Sequence, residues 1–176
     1  MKNTIVINLI GGPGCGKSTA AAGIFYLLKK QGINCEMSLE FAKDKVWEQS
    51  IKTLDNQIYV FGKQHHRLWR IVEKVDVVIT DSPLFLSLYY NKEPSKQFDE
   101  FVISQFKRFN NRTFFIERGD SSYQQSGRLQ NEQEAREIDR VLKELLEKYN
   151  VEYQSVEQST CVEEIVSSIL TELSDG

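Results

Sequence analysis

The chain has 176 residues, of which 40% are apolar and 27% are charged, an ordinary balance for a soluble globular protein of one domain spanning residues 1–176. The formal net charge is −3, which excludes a global basic field of the kind that holds long duplex DNA or an anionic membrane. Three cysteines without a CxxC pair argue against a zinc site or a disulfide framework, and no apolar run reaches the roughly 20 residues that span a bilayer, so we expect a cytoplasmic protein.

The first elements of the chain are a strand, a glycine-rich loop and a helix. Residues 4–10 form a short, β-branched apolar run that predicts a buried strand. Residues 17–31 have the alanine-rich, periodic pattern of a helix, with a glycine as its stop signal. Between them, residues 11–18 read GGPGCGKS and match G-x-x-x-x-G-K-S in full, in the strand–loop–helix setting that phosphate binding requires.

This loop predicts a site for the triphosphate of ATP or GTP. Its glycines let backbone N–H groups point at phosphate oxygens, and the helix N-terminus adds its positive dipole end. Lys17 is expected to reach the β- and γ-phosphates, and the Ser18 hydroxyl to coordinate Mg²⁺. The Cys15 side chain is expected to point away from the ligand. The residues predicted to bind the nucleotide are Gly12, Pro13, Gly14, Cys15, Gly16, Lys17, Ser18 and Thr19.

An acidic residue follows the second predicted strand, residues 33–37. Glu40 stands just past its end, ahead of predicted helices at residues 41–47 and 54–74. In small-molecule kinases an acid in that area can take the proton from an acceptor hydroxyl. The alternative is an ordinary glutamate at a helix start, where acids are favoured.

A second acid ends the apolar strand pattern at residues 75–80. Asp81 follows that strand directly and would project beside the phosphate loop, where P-loop enzymes need a carboxylate to position Mg²⁺ or its water shell. The alternative is a turn or capping aspartate in the sequence Asp-Ser-Pro.

The rest of the chain continues the alternation, with helices predicted at residues 84–90, 95–109, 132–149 and 161–173 and strands at 112–117 and 151–156. This order predicts an α/β protein with a three-layer, kinase-like P-loop fold, in which helices cover both faces of a five-stranded parallel sheet. Ligands then bind at the carboxyl ends of the strands.

The polar, glycine-containing segment at residues 118–131 predicts a lid that closes on the nucleotide. Arg118 and Arg128 are expected to stabilise the charge that develops on the transferring phosphoryl group. The alternative is a solvated surface loop. The predicted catalytic residues are therefore Lys17, Glu40, Asp81, Arg118 and Arg128, and the predicted metal ligands are Ser18 and Asp81.

With these residues in place, the chain resembles the ribosylnicotinamide-kinase-like branch of P-loop proteins. These are small AAA-type ATPases, common in bacteriophages and related to the kinase domain of the bacterial NAD-salvage regulator. The motifs that carry the resemblance are GGPGCGKST at 11–19, LEFAKD at 39–44, ITDSPL at 79–84, FFIERGD at 114–120 and the loop and helix at 127–149.

The resemblance implies roles for individual residues. Lys17 and Ser18 would hold the triphosphate and Mg²⁺, and Asp81 would belong to the second acidic motif. Glu40 would lie on the acceptor side and Arg128 in the lid. The family has a second acid where this chain has residues 82–83, Ser-Pro, and this departure bears on nicotinamide riboside as the acceptor.

Together these observations predict an ATP- and Mg²⁺-dependent kinase whose acceptor is a nucleoside, a nucleotide or a modified pyrimidine, acting as a monomer or homodimer without a membrane partner. If the chain is phage-encoded, its location is the host cytoplasm. Two alternatives stay open. One is a nucleotide-dependent switch that hydrolyses ATP slowly and signals to a partner. The other is a polynucleotide kinase that grips a single-strand end with Lys43, Lys45, Lys52 and nearby aromatic residues; the acidic charge balance does not favour nucleic acid.

Overall fold

Five strands and the helices between them make up the described part of the chain, which in a computed structural model comprises residues 4–93, 95–119 and 132–175. The strands are β1 (Ile5–Ile10), β2 (Cys35–Ser38), β3 (Val77–Thr80), β4 (Asn110–Glu117) and β5 (Gln154–Glu157). The α-helices are α1 (Lys17–Lys30), α2 (Phe41–Trp47), α3 (Gln57–Trp69), α4 (Ser87–Tyr90), α5 (Lys96–Phe106), α6 (Glu132–Lys148) and α7 (Cys161–Asp175). Short 3₁₀ turns lie at Ile51–Asp55 and Leu84–Leu86.

All the strand pairings are parallel, and the strand order is β2-β3-β1-β4-β5. Strand β1 is the central strand of the sheet, and all six of its residues are buried, as expected for a strand covered on both faces. The predicted α/β architecture with a five-stranded parallel sheet is therefore confirmed.

Alternate residues of β1 face two separate hydrophobic clusters. Ile5, Ile7 and Leu9 pack in one cluster, with α1 and α7. Val6 and Ile10 pack in the other, with α3, α5 and α6. This alternation follows from the two-residue repeat of a strand, and it gives the sheet a helical layer on each face.

Some helix boundaries differ from those predicted. The helix predicted over residues 54–74 begins at Gln57, because the Asn56 side chain caps it by accepting a hydrogen bond from Tyr59 N at 3.1 Å. It ends at Trp69, and the chain then turns through Glu73, which has a φ of 69°. Within the described ranges, the helices are too short or too polar to cross a bilayer.

Candidate functional site

Three neighbouring strands bring the predicted site residues to one edge of the sheet. The phosphate loop connects β1 to α1, Asp81 directly follows β3, and Glu40 precedes the first residue of α2 after β2. Because β2, β3 and β1 are adjacent and parallel, their carboxyl ends lie side by side, as the rule for ligand sites in such sheets requires.

The phosphate loop is held in shape by its own lysine. Gly16 precedes α1 with a φ of 93°, a left-handed conformation that glycine adopts without strain. The Lys17 ammonium donates to Gly11 O at 2.6 Å and to Gly12 O at 3.0 Å. The Cys15 side chain is fully buried in the core cluster of α1 and α7, and so points away from the phosphate site.

Ser18 and Asp81 form the oxygen-rich centre of the site. Ser18 Oγ donates to Asp81 Oδ2 at 2.6 Å, and Asp81 Oδ1 accepts from Glu40 N at 3.0 Å. The Asp81 side chain is held rigidly, because only 3% of the residue is exposed. A hydroxyl beside a carboxylate is a fitting donor pair for Mg²⁺, which takes its remaining ligands from phosphates and water. The described residues contain no cluster of three or more histidine, cysteine or acidic side chains that could hold a metal ion.

Glu40 has a perturbed carboxyl beside the Ser18–Asp81 pair. Burial raises the pKa of its carboxyl, and the nearby Asp81 raises it further, while the Lys17 charge lowers it. Glu40 lines the same cavity as Ser18 and Asp81. Its carboxyl can therefore meet a ligand that lies beside the phosphate loop.

This cavity has a volume of about 590 Å³ and runs from the phosphate loop to α2, α3 and the segment that follows β3. Away from the phosphate loop, its apolar lining is formed by Val46, Trp47, Ile51, Leu54, Val60 and Leu86, and polar residues among them include Lys43, Asp55, Gln57, Gln64 and Lys92. Trp47 lines the cavity and is 67% exposed, so much of this aromatic residue is accessible to a ligand or to solvent. The space therefore offers room and an apolar surface for a second ligand next to the phosphate site.

Arg118, predicted as a lid residue, instead contacts the phosphate loop in this structure. Its Nη1 donates to Pro13 O at 2.9 Å, and its Nε and Nη2 lie 3.0 Å and 2.9 Å from Asp139 Oδ2. Asp139 Oδ1 in turn accepts from Gly12 N at 2.5 Å. The Arg118 side chain is only 7% exposed. The pair thus joins β4 and α6 to the loop.

The sequence analysis missed Asp139. One signal could have found it: Asp139 comes four residues after Ala135 and three before Leu142, so it lies next to the apolar stripe of a strongly amphipathic helix. An acid at the margin of such a stripe has a higher chance of a buried partner than one on the opposite face.

Of the other predicted residues, some line the cavity and some do not. Thr19 lines the cavity beside Ser18, and so does Lys43. Lys45 pairs with Glu48 at 2.5 Å, and Lys52 is not among the residues that line the cavity. Arg128 and the greater part of the predicted lid lie outside the described residues. Their roles stay predictions.

Comparison with known protein families finds a match. A family model described as an AAA domain matches residues 6–165. No curated protein matches the chain. The matched span contains the phosphate loop, Glu40, Asp81, Arg118 and Asp139, and so covers every part of the site described above.

Proposed function

The chain belongs to the AAA-domain family of P-loop nucleotide-binding proteins, and from this premise we propose that it is an ATP-dependent phosphotransferase working in the cytoplasm. Its acceptor is a nucleoside, a nucleotide or a modified pyrimidine. One observation carries the proposal: a single cavity joins the phosphate loop to an acid of raised pKa and to an apolar chamber. A protein that only hydrolyses nucleotide has no need of that chamber.

The nucleotide binds with its triphosphate on residues 12–19. Lys17 leaves the carbonyls of Gly11 and Gly12 and reaches the β- and γ-phosphates. Ser18 and Asp81 would hold Mg²⁺, which when bound neutralises charge on those phosphates. The pairing of the two side chains at 2.6 Å means that their oxygens already converge before any ion is present.

The acceptor hydroxyl lies beside Glu40 and attacks the γ-phosphorus in line. A bond forms between the acceptor oxygen and phosphorus, the bond from phosphorus to the β–γ bridging oxygen breaks, and ADP leaves. The hydroxyl proton passes to the Glu40 carboxylate. Because burial raises the pKa of Glu40, the carboxylate is a stronger base than an exposed one.

The apolar wall receives the ring of the acceptor. Trp47 offers an open aromatic face on which a planar heterocycle stacks, and Leu54 and Leu86 add apolar contacts within the same cavity. A ring held there and a hydroxyl held at Glu40 describe a nucleoside-like molecule.

A second candidate function, transfer to the end of a single-stranded nucleic acid, is favoured by the same open indole. Trp47 and Lys43 both line the cavity, and both are exposed, so a stacked terminal base could be followed by a chain that continues into solvent. Oligonucleotide phosphorylation that weakens steeply with added salt would support this candidate over a free nucleoside.

Product mass spectrometry tests the proposal. The protein is incubated with Mg·ATP and a panel of ribonucleosides, deoxynucleosides, their monophosphates, modified pyrimidines and single-stranded oligonucleotides, with Lys17→Ala as the blank. A phosphorylated acceptor that is absent from the blank supports the proposal and names the acceptor. Slow ADP release without any phosphorylated acceptor would instead indicate a nucleotide-dependent switch.

A further inference from the structure

A buried ion pair contacts two peptide groups of the phosphate loop. Asp139 Oδ1 accepts from Gly12 N at 2.5 Å, and Asp139 Oδ2 accepts from Arg118 Nε at 3.0 Å. Arg118 Nη1 donates to Pro13 O at 2.9 Å, while its buried Nη2 lies 2.9 Å from Asp139 Oδ2 and makes no hydrogen bond among the described residues. Neither side chain lines the cavity. The ion pair therefore contacts the backbone of the loop from outside the cavity.

The planarity of the peptide bond gives these contacts a direction. In a trans peptide the C=O and the following N–H point opposite ways, and the described residues contain only trans peptides. Since Gly12 N points at Asp139, Gly11 O must point away from Asp139. Lys17 Nζ lies on that oxygen, at 2.6 Å.

The same argument applies two peptides further along the loop. Pro13 O points at the Arg118 guanidinium, so the N–H of Gly14 points away from Arg118. Gly14 lines the cavity, whereas Arg118 does not. The arginine thus fixes the direction of a backbone donor that serves the phosphate site.

We propose that Asp139 is a positioning residue that acts through Arg118 and Gly12 to preset the phosphate loop for the nucleotide. The inference rests on the nucleotide site of the proposed function. It also gives Arg118 a different role from the one predicted: its charge is matched by Asp139, and it orients the loop backbone instead of contacting the transferring phosphoryl group. Backbone N–H groups that are already oriented bind phosphate without the free-energy cost of ordering the loop when the nucleotide binds.

The packing around Gly12 supports this role. A Cβ atom at residue 12 would lie 2.6 Å from Ala135 O and 2.8 Å from Asp139 Oδ1. Only glycine lets α6 approach closely enough for its carboxylate to reach the loop backbone. The close approach of α6 to Gly12 therefore allows the Asp139 carboxylate to reach Gly12 N.

Isothermal titration of Mg·ATP and Mg·ADP into the full chain tests the proposal, with acceptor KM and the nucleotide-free melting temperature measured in parallel. Asp139→Asn cannot satisfy Gly12 and Arg118 together, because one of its two oxygens becomes a donor. Loss of a charge-assisted contact predicts nucleotide Kd values that rise about tenfold or more. The acceptor KM should stay within about twofold, since the pair does not line the cavity.

Two further variants distinguish an effect on loop positioning from an effect on folding stability. Glu137→Gln breaks an exposed ion pair with Arg140 on the same helix and should leave nucleotide affinity unchanged. The double variant Arg118→Met with Asp139→Leu replaces the buried pair by apolar groups, a change that often preserves stability. It should melt near the wild-type temperature and still bind nucleotide at least about tenfold more weakly.

The outcomes are distinct. Nucleotide Kd values within about twofold of wild type in both Asp139 variants would overturn the positioning role. If the wild type binds ATP but phosphorylates no acceptor, the proposed function fails, while the binding comparison still decides the role of Asp139. A wild type that binds no nucleotide overturns both.

Discussion

Ser18 Oγ lies 2.6 Å from Asp81 Oδ2, although the two residues are 63 positions apart in the chain. One comes from the first turn of α1 and the other from the residue after β3, and the parallel pairing of β1 with β3 brings them together. Their contact marks the point where the nucleotide, the metal and the acceptor would meet.

Asp81→Asn should therefore lower kcat by about a hundredfold or more, because an amide carries no charge to balance Mg²⁺ and has only one oxygen to accept from both the Ser18 hydroxyl and Glu40 N. The measurement is kcat as a function of Mg²⁺ concentration at saturating ATP. Asp76→Asn, an exposed aspartate just before the same strand, serves as the matched control. Equal kcat values for Asp81→Asn and Asp76→Asn would rule out the metal-linked role of Asp81.

Glu40→Gln should abolish most transfer and yet stabilise the fold at neutral pH. Removing a general base costs about 10²–10⁴-fold in kcat. Burial raises the pKa of Glu40, so the folded state holds this proton more tightly than the unfolded state, and stability falls as pH rises through the raised pKa. Because glutamine does not ionise, the Glu40→Gln variant does not lose stability as pH rises through this range. The melting temperature of Glu40→Gln relative to wild type should thus increase from acidic to neutral pH.

That pH dependence is the decisive feature of the Glu40 prediction. In the wild type, kcat should rise with pH through the same raised pKa, because only the carboxylate accepts a proton. A melting-temperature difference that stays constant with pH would mean that burial does not perturb this carboxyl.

Trp47→Ala should raise the acceptor KM about tenfold and leave the KM for ATP unchanged, because aromatic stacking on a base contributes about 1–3 kcal/mol. Trp69→Ala is the matched control: Trp69 is 53% exposed, close to the 67% of Trp47, but it does not line the cavity. Steady-state kinetics with each substrate varied in turn separates the two KM values. A similar acceptor KM in both variants would argue against stacking on Trp47.

Two glycine substitutions should have opposite effects on stability. Gly62→Ala lies within α3, and an added Cβ there meets nothing within 4 Å, so better helix propensity should stabilise the fold by about 0.4–1 kcal/mol. Gly12→Ala would force a Cβ against Ala135 O at 2.6 Å and should lower both the melting temperature and nucleotide affinity. Thermal unfolding followed by circular dichroism measures both effects, and a stabilising Gly12→Ala would show that α6 and the loop separate easily.

Much of this fold can be predicted from the sequence because local patterns agree with the final structure. The buried run at β1, the glycine loop and the alternation of strands with helices fix the fold class. The start of α3 was placed three residues early, because the capping role of Asn56 is a side-chain geometry that hydrophobic periodicity does not report. The strand order was not predicted, since it depends on contacts between distant segments.

The site residues also divide into those that local sequence predicts and those that it does not. Lys17, Ser18, Glu40 and Asp81 each follow a strand or open a helix, so local sequence places them near the same edge of the sheet. Asp139 lies within a helix, at a position that no short motif singles out, and gains its contacts only when α6 packs against the loop. The sequence predicts Arg118 as a phosphate ligand for a related reason: an arginine after a strand has the same pattern whether it faces a ligand or a buried carboxylate.

The strand order also places two groups of site residues on opposite sides of β1. On one side of β1, strands β2 and β3 lead to Glu40, Asp81 and the acceptor chamber. On the other side, β4 leads to Arg118, which with Asp139 of α6 grips the phosphate loop. The chamber walls on the β2–β3 side can therefore change without altering the contacts of Arg118 and Asp139 to the phosphate loop. Asp81 is the exception on that side, because it accepts from Ser18 in the first turn of α1.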